Sequence, residues 1–525
     1  MNKSKVLLLK NCSTGLVSQV MTLIFQFLTR SLFIRYIGIE LLGVYSTFTS
    51  VLSTLSLAEL GFQTAIVFSL YKPLAQRDEQ QINDIVNVFR FVYDCIGAFF
   101  ILASLALLPF LKYILTGITV TNAIYLYFLI QAFSSACTYF LAYKRSLLYA
   151  DQKDYISKII DMIVNVIANI LQIIAMVYFK DYLLYLVLKL MQVIVSNIWV
   201  HWVCARLYPF LKRGKINFTL LRSLFFNVKN VFAGKIAAYV YSSTDSLVIS
   251  AFISTVQVGY LVNYTTISQQ LKTLISGLLN PITPMIGNVL ATDSEGESKE
   301  GAFKLYAVMR VLIAMMIVVP FCVLINDFIA MWVGAEYILP ASVVVLLVMD
   351  LYIHFVHSVN VDFINAAGLF REDRDNEIIA AVLNITLSIL GAKTIGLAGV
   401  LLGTVVSQMW FWFGRSYVVF KLCLQADKED YLKYWLKNIV DGVALTVSIV
   451  FCAYLNSRLP IANGYLKFVC SGILCEELNG EDYGAVRLKS DETMTIGYLK
   501  RKGIALSPLG QKYLEELRAV CHVSQ

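Results

Sequence analysis

The sequence is poor in the residues on which soluble domains and metal sites depend. Only 15% of its residues are charged, whereas a soluble domain carries about 25%, and 58% are hydrophobic. The chain holds four histidines, and none of its ten cysteines forms a C-x-x-C pair. These shortages argue against a soluble domain. They also indicate that the cysteines are small buried hydrophobes, not disulfide partners or metal ligands.

Several catalytic motifs are missing as well. No GxxxxGK(S/T) phosphate-binding loop occurs, which argues against an ATP-driven pump on this chain. No HExxH, GxSxG or Cys/His cluster occurs, and the acids near the apolar runs are scattered, with no pair placed for glycosyl transfer. We therefore expect a protein that is not an enzyme and has no catalytic residues, no metal and no bound cofactor.

Long apolar runs take the place of these motifs. A run of about 20 apolar residues is long enough to cross a bilayer as a helix. Such runs predict helices at 13–33, 42–70, 91–111, 120–142, 158–179, 182–205, 226–253, 257–290, 304–326, 339–358, 376–392, 395–420 and 436–456. A further run at 461–475 is short for a span. The expected fold is an all-α, polytopic helical bundle of about 13–14 transmembrane helices in two pseudo-symmetric lobes.

Lysine and arginine are concentrated in alternate loops. The loops on the N-terminal side of the membrane hold most of these residues, and the opposite side has only Arg30, Arg35, Lys112, Lys180, Lys393 and Arg458. By the positive-inside rule, we expect an inner-membrane protein with a cytoplasmic N-terminus. Membrane orientation also explains the net charge of +8 better than nucleic-acid binding does.

Two short sequence echoes suggest an internal repeat. Lys10-Asn11 is echoed by Lys229-Asn230, and Gly43-Val44-Tyr45 is echoed by Val258-Gly259-Tyr260. Parallel repeats of this kind are common in secondary transporters, whose substrate path lies between the halves. The predicted domains are an N-terminal six-helix lobe at 1–205, a cytoplasmic basic linker at 206–225, a C-terminal six-helix lobe at 226–421, extra helices at 422–475 and a soluble cytoplasmic tail at 476–525.

Charges within the predicted helices are the main candidates for function. A charge in hydrocarbon costs several kcal/mol, so it usually faces a cavity or a partner. We expect a polar cleft whose cations bind an anionic group such as a phosphate, and the predicted ligands are Arg30, Arg35, Lys235, Lys272 and Arg310. Glu59, Ser242 and Asp245 are predicted to couple ions or to make the cleft polar. The alternative is that these charges snorkel at helix ends or form ion pairs that fix packing.

Three prolines interrupt predicted helices. Pro281 and Pro284 lie three residues apart, and Pro320 lies in the following helix. Proline removes a backbone donor and bends a helix, which suits a gating element. Prolines are also ordinary in membrane helices, so a simple structural role is the alternative.

Several segments resemble a known transporter superfamily, and they are Tyr36-Ile37-Gly38, Gly43-Val44-Tyr45, Leu57-Ala58-Glu59-Leu60-Gly61, the run from Thr244 to Ser250, and Val258-Gly259-Tyr260. With them, residues 1–470 resemble the multidrug/oligosaccharidyl-lipid/polysaccharide (MOP) exporter superfamily, in its polysaccharide transporter or O-antigen flippase branch. The resemblance implies a flippase that turns an undecaprenyl-diphosphate-linked oligosaccharide across the membrane by alternating access. It further implies a proton or Na⁺ gradient as the driving force and a polysaccharide polymerase as a functional partner.

Two other functions stay open at this point. A small-molecule or drug exporter of the same superfamily is one alternative, although drug cations prefer acids and aromatics to a cationic cleft. A membrane-embedded oligosaccharide polymerase is the other, and it would need a large periplasmic loop with clustered charges.

The end of the chain departs from the resemblance. Residues 497–519 resemble the C-terminal end of LysR-type regulators, and composition changes abruptly after residue 475. A gene fusion, a frameshift or a sequence-assembly error would explain both the short run at 461–475 and this tail, and long-read sequencing that shows an uninterrupted native reading frame would contradict that explanation.

Overall fold

The structure, a computed structural model, describes residues 3–56, 62–140, 142–214, 218, 221–222, 244–279, 282–292 and 296–458. Within these ranges the regular elements are helices, and no strand occurs. The prediction of an all-α fold is confirmed.

Within the described ranges, seventeen helical segments are labelled in chain order. They are α1 Lys3–Tyr36, α2 Ile39–Leu55, α3 Phe62–Gln76, α4 Glu79–Leu107, α5 Leu111–Ile114, α6 Asn122–Tyr139, α7 Ala142–Ala150, α8 Asp154–Ile174, α9 Tyr182–Leu207, α10 244–252, α11 Thr255–Leu279, α12 Ile282–Thr292, α13 Gly296–Trp332, α14 Ala341–Ala367, α15 Phe370–Thr394, α16 Leu397–Val418 and α17 Lys428–Arg458. Short π-helical turns extend α8 at Ala175–Phe179 and α16 at Val419–Leu424.

Many of these helices are long and apolar enough to cross a membrane. In the described part of the chain nine segments meet this condition, and a tenth does so if α6 and α7, which are bent by 43°, count as one span. The chain is therefore a multi-pass membrane protein. The predicted helix at 461–475 and most of the one at 226–253 lie outside the described residues.

Aspartate side chains cap the N-termini of two helices, and the first of these caps extends its helix beyond the apolar run. Helix α4 begins at Glu79 because the Asp78 side chain accepts a hydrogen bond from the backbone N–H of Gln81 at 2.9 Å. The Asp181 side chain likewise accepts from the N–H of Leu183 at the start of α9. Helix α7 lies almost entirely outside the predicted helices, because its basic residues interrupt the apolar run.

The described residues belong to two compact units. The first comprises residues 1–262 and 388–400, and the second comprises 263–387 and 401–525. The predicted linker at 206–225 and the lobe boundaries around it stay predictions, because much of that segment lies outside the described residues.

The first unit is built around helices α4, α6, α8 and α9. Helix α1 packs on α8, α8 and α6 pack on α9, and α4 packs on α6. Its apolar core includes the fully buried rings of Phe48, Phe100 and Phe128. A polar contact joins α7 to α8, where the Arg145 guanidinium donates to both Asp161 carboxylate oxygens at 2.7 and 2.9 Å. This two-pronged geometry fixes the relative position of the two helices.

The second unit has a core of aromatic side chains. Helix α13 packs on α14 and α17, and α12 packs on α14. The Phe303 ring meets Phe363 and Phe420 edge-on, with centroids 5.1 and 5.3 Å apart. Nearby, the Tyr434 hydroxyl accepts a hydrogen bond from Trp412 Nε1 at 2.8 Å. Ring pairs of this geometry stabilise helix packing beyond the area that they bury.

The segment that follows α9 is tied to neighbouring helices. The Tyr208 hydroxyl donates to Asp151 at 2.6 Å, and burial, reinforced by this bond, raises the pKa of Tyr208. The backbone N–H of Lys212 donates to Asn83 Oδ1, and Asn87 Nδ2 donates to the Lys212 carbonyl, each at 2.9 Å. These bonds give residues 208–214 a defined path along α4.

Two glycines allow α2 and α11 to approach closely within the first unit. A Cβ atom added at Gly259 would lie 2.7 Å from the carbonyl oxygen of Ile39 and 3.3 Å from the backbone nitrogen of Gly43. A Cβ at Gly43 would in turn collide with the carbonyl of Thr255. The glycine echo in the sequence thus marks positions where two helix backbones touch. Small residues serve this purpose commonly in membrane helices.

We expect Gly259→Ala to destabilise the purified full-length protein, because the obstructing atom is backbone and cannot move aside. Overpacking of this kind costs about 1–3 kcal/mol. Gly277→Ala is the matched control on α11, where an added Cβ meets nothing within 4 Å. Alanine is the better helix former, so this control should keep or raise the melting temperature. An equal melting temperature for both variants would contradict the close approach.

Candidate functional site

A polar cavity lies inside the first unit, between helices α1, α2, α8 and α9. Its volume is about 350 Å³. It is lined by Ser18, Met21, Thr22, Phe25, Gln26, Thr29, Arg30, Phe33, Leu42, Tyr45, Met162, Asn165, Val166, Asn169, Gln172, Tyr185, Lys189 and Gln192. We call it the cationic cavity, because none of the described residues that line it is acidic while two are basic.

The two cations come from different helices. Arg30 lies on α1 and Lys189 on α9, and both are partly buried. The Lys189 ammonium donates a hydrogen bond to the Tyr45 hydroxyl of α2. A positive charge in a membrane span is costly unless anions or dipoles surround it. The wall therefore has a positive electrostatic potential that favours a negatively charged ligand group.

Amide side chains supply the dipoles along α8. Asn165, Asn169 and Gln172 follow each other at spacings of four and three, so they share one helix face. Gln172 Nε2 donates to Gln192 Oε1 at 3.2 Å, and Gln192 in turn donates to Asn165. Amides at this spacing in an apolar run indicate a polar helix face in the sequence itself, but these three residues are not among the predicted site residues.

The two predicted ligands in α1, Arg30 and Arg35, lie in different surroundings. Arg30 lines the cationic cavity. Arg35, one and a half turns later, is exposed, and its guanidinium carbon lies 5.8 Å from the ring centroid of Tyr36. Tyr45 and Lys189, which were not among the predicted site residues, complete the wall.

Several predicted site residues lie outside the described residues, and these are Glu59, Lys235, Ser242 and Pro281. Asp245 lies in α10 and is partly buried. The roles proposed for all of them stay predictions.

The predicted ligands of the second unit are in ion pairs. Lys272 Nζ lies 2.7 Å from Asp350 Oδ2, and their side chains are only 11% and 16% exposed. Arg310 pairs with Asp362, and Tyr306 contributes its hydroxyl as a donor to the same carboxylate. The geometry favours the packing alternative for these two cations, while their role as substrate ligands stays a prediction.

A third pair in this unit was not predicted. Arg415 of α16 contacts Asp373 at 2.8 Å and Glu377 at 3.0 Å, both on α15. The acids lie 38 and 42 residues away in the chain, so no local spacing indicates the pairing.

Two of the three predicted gating prolines lie in described helices. Pro320 is inside α13, and the backbone of Pro284 lies in α12. The described parts of the predicted helix at 257–290 are helical, over Thr255–Leu279 and Ile282–Thr292. A gating role for these prolines stays a prediction.

Comparison with known proteins identifies the class. Residues 8–289 match the family described as polysaccharide biosynthesis protein, which is more than half of the chain, so the chain belongs to that family. No curated protein matches it. A solved structure of the lipid II flippase MurJ, in an inward closed conformation, matches 90% of this chain and 98% of its own, with 12% identity and a TM-score of 0.68.

Multidrug transporters share the fold too. An inward-facing MATE family transporter of the MOP superfamily matches 76% of this chain and 94% of its own, with 14% identity and a TM-score of 0.58. A Vibrio cholerae MATE transporter matches 80% and 98%, with 12% identity and a TM-score of 0.54. The superfamily resemblance is confirmed. The LysR-like segment at 497–519 lies outside both the described residues and the family match.

The buried pairs generate a stability prediction. Lys272→Met should lower the melting temperature of the purified protein strongly, because Asp350 would keep a buried charge without its counter-ion. Breaking such a pair costs about 3–5 kcal/mol. The double variant Lys272→Met/Asp350→Met should recover much of the loss.

The control is replacement of Lys433, whose ion pair with Glu429 is exposed. Exposed pairs contribute about 0–1 kcal/mol, so this change should leave the melting temperature almost unchanged. If the double variant were less stable than Lys272→Met alone, the pair would not be the reason for the loss.

Proposed function

We propose that the protein is a flippase for a lipid-linked oligosaccharide. Its substrate is an undecaprenyl-diphosphate-linked repeat unit of a surface polysaccharide, made on the cytoplasmic face. The protein turns the head group across the inner membrane by alternating access, with its N-terminus in the cytoplasm and a proton or Na⁺ gradient as the driving force. A polysaccharide polymerase consumes the product.

The observation that carries this proposal is the wall of the cationic cavity. Arg30 and Lys189 face a polar space inside a membrane protein, and no described lining residue is acidic. A diphosphate presents several acceptor oxygens and negative charge, and a guanidinium binds such oxygens in pairs. Membership of a polysaccharide biosynthesis family supports a glycan-bearing substrate.

A small-molecule exporter is the competing function, since MATE transporters share the fold. The charge of the cavity disfavours it for cationic drugs. Cations are bound by acids and aromatic faces, and here two fixed positive charges would repel them.

Replacement of Arg30 tests the proposal. In a strain whose own copy is deleted, Arg30→Gln should reduce surface polysaccharide at least about tenfold, as expected when a hydrogen bond to a charged group is lost. The abundance of the protein in the membrane should stay unchanged. We expect the same result for Lys189→Gln and, from the sequence alone, for Lys235→Ala.

Lys112→Gln is the control. Lys112 belongs to the first unit but is exposed on α5, outside the cavity. A wild-type amount of surface polysaccharide in the Arg30→Gln strain would contradict the proposal. An equal loss in the Lys112→Gln strain would contradict it too.

A further inference from the structure

A second, smaller cavity lies beside the cationic cavity, and its volume is about 180 Å³. Tyr45 and Lys189 line both cavities, so their hydrogen-bonded contact forms a shared wall. The polar lining particular to the second cavity consists of hydroxyl and amide side chains, namely Thr49, Ser53, Ser56, Gln131, Ser134 and Ser135. We call it the hydroxyl cavity.

Gln131 gives the hydroxyl cavity a buried polar group in a fixed position. It is 8% exposed, and its Nε2 donates to Thr49 Oγ1 at 2.8 Å and to the Tyr45 carbonyl oxygen at 3.3 Å. The carbonyl of Tyr45 can only accept, which fixes the orientation of the amide. The Gln131 Oε1 atom is buried and accepts no hydrogen bond within the described part of the chain. Buried acceptors are nearly always paired, so this oxygen is suited to accept a hydrogen bond from a ligand hydroxyl or N–H group.

The lining chemistry matches a sugar. Serine and threonine hydroxyls both donate and accept, as sugar hydroxyls do. Leu52 and Leu186 add an apolar surface against which the C–H face of a ring can pack. Sites that enclose a whole drug-sized ligand have about 300–1,000 Å³, so the hydroxyl cavity suits one part of a larger molecule.

We propose that the hydroxyl cavity binds the sugar residue attached to the diphosphate, while the cationic cavity binds the diphosphate itself. This inference rests on the proposed function. In a diphosphate-linked glycan the first sugar is bonded directly to the phosphate, and here a cavity for each group lies on either side of Tyr45 and Lys189. Lys189 has three N–H donors, so it contacts groups on both sides.

Two probes separate the cavities in a binding experiment on the purified full-length protein. One is undecaprenyl diphosphate, and the other is undecaprenyl diphosphate bearing N-acetylglucosamine. The wild-type protein should bind the glycosylated probe more tightly. Gln131→Met should weaken that binding about tenfold, consistent with one lost buried hydrogen bond, and leave the affinity for the bare probe unchanged.

A Ser134→Ala/Ser135→Ala double variant repeats the test without touching Gln131, and it decides the matter if Gln131→Met folds poorly. Ser104→Ala is the matched control, because Ser104 is a buried serine of α4 that donates to the Phe100 carbonyl and does not line the cavity. It should bind both probes as the wild type does.

The outcomes distinguish the two proposals. Equal wild-type affinity for both probes would overturn the sugar site, as would unchanged or equally weakened binding of both probes by the variants of the hydroxyl cavity. Arg30→Gln should weaken both probes alike. If Arg30→Gln bound both probes as the wild type does, the proposed function itself would fail, whatever the variants of the hydroxyl cavity did.

Discussion

The cost of placing an ionised side chain in a membrane span governs this structure. The chain meets that cost in two ways. In the second unit, Lys272, Arg310 and Arg415 each lie against carboxylates, and the pairs connect helices. In the first unit, Arg30 and Lys189 lie on the wall of a polar cavity instead. A pair satisfies its own charge and holds the bundle together, whereas a cationic wall leaves a positive potential that favours an anionic ligand.

Neutral polar groups lower the energetic cost of burying the two cations without cancelling their charge. Carboxylates beside Arg30 would stabilise it but would also repel a diphosphate. The amides of Asn165, Asn169 and Gln172 and the hydroxyl of Tyr45 provide dipoles with no net charge. Gln192 bridges Asn165 and Gln172, Asn169 accepts from Thr29, and Tyr45 accepts from Lys189, so the groups are held in place and little reorganisation is needed when a ligand arrives. The polar stripe of α8 thus serves both the folding of the first unit and the electrostatics of its cavity.

The sequence located most of the helices but not where they begin and end. It also located the charged residues within the helices but not the residues with which they pair. Apolar runs located most membrane helices, because the bilayer demands a minimum length of apolar chain. They missed α7 and the polar first turns of α4, where the Asp78 cap determines the start. Arg30 was predicted as a buried cation, yet no local spacing links it to Lys189. Long-range pairings such as that of Lys272 with Asp350 depend on how the helices pack, and periodicity does not carry that information.

Lys189 illustrates how position along a helix misleads. It lies two turns from the start of α9, a position from which a lysine commonly snorkels to the membrane surface. In the structure it turns inward to Tyr45, whose ring centroid lies 4.7 Å from its Nζ. Tyr45 belongs to the Gly43-Val44-Tyr45 motif, and Gly43 is where α2 touches α11. One motif therefore positions both a close helix contact and the partner of the cavity lysine. Movement of α2 relative to α9 would change the wall of both cavities at once, which couples helix packing directly to the shape of the binding site.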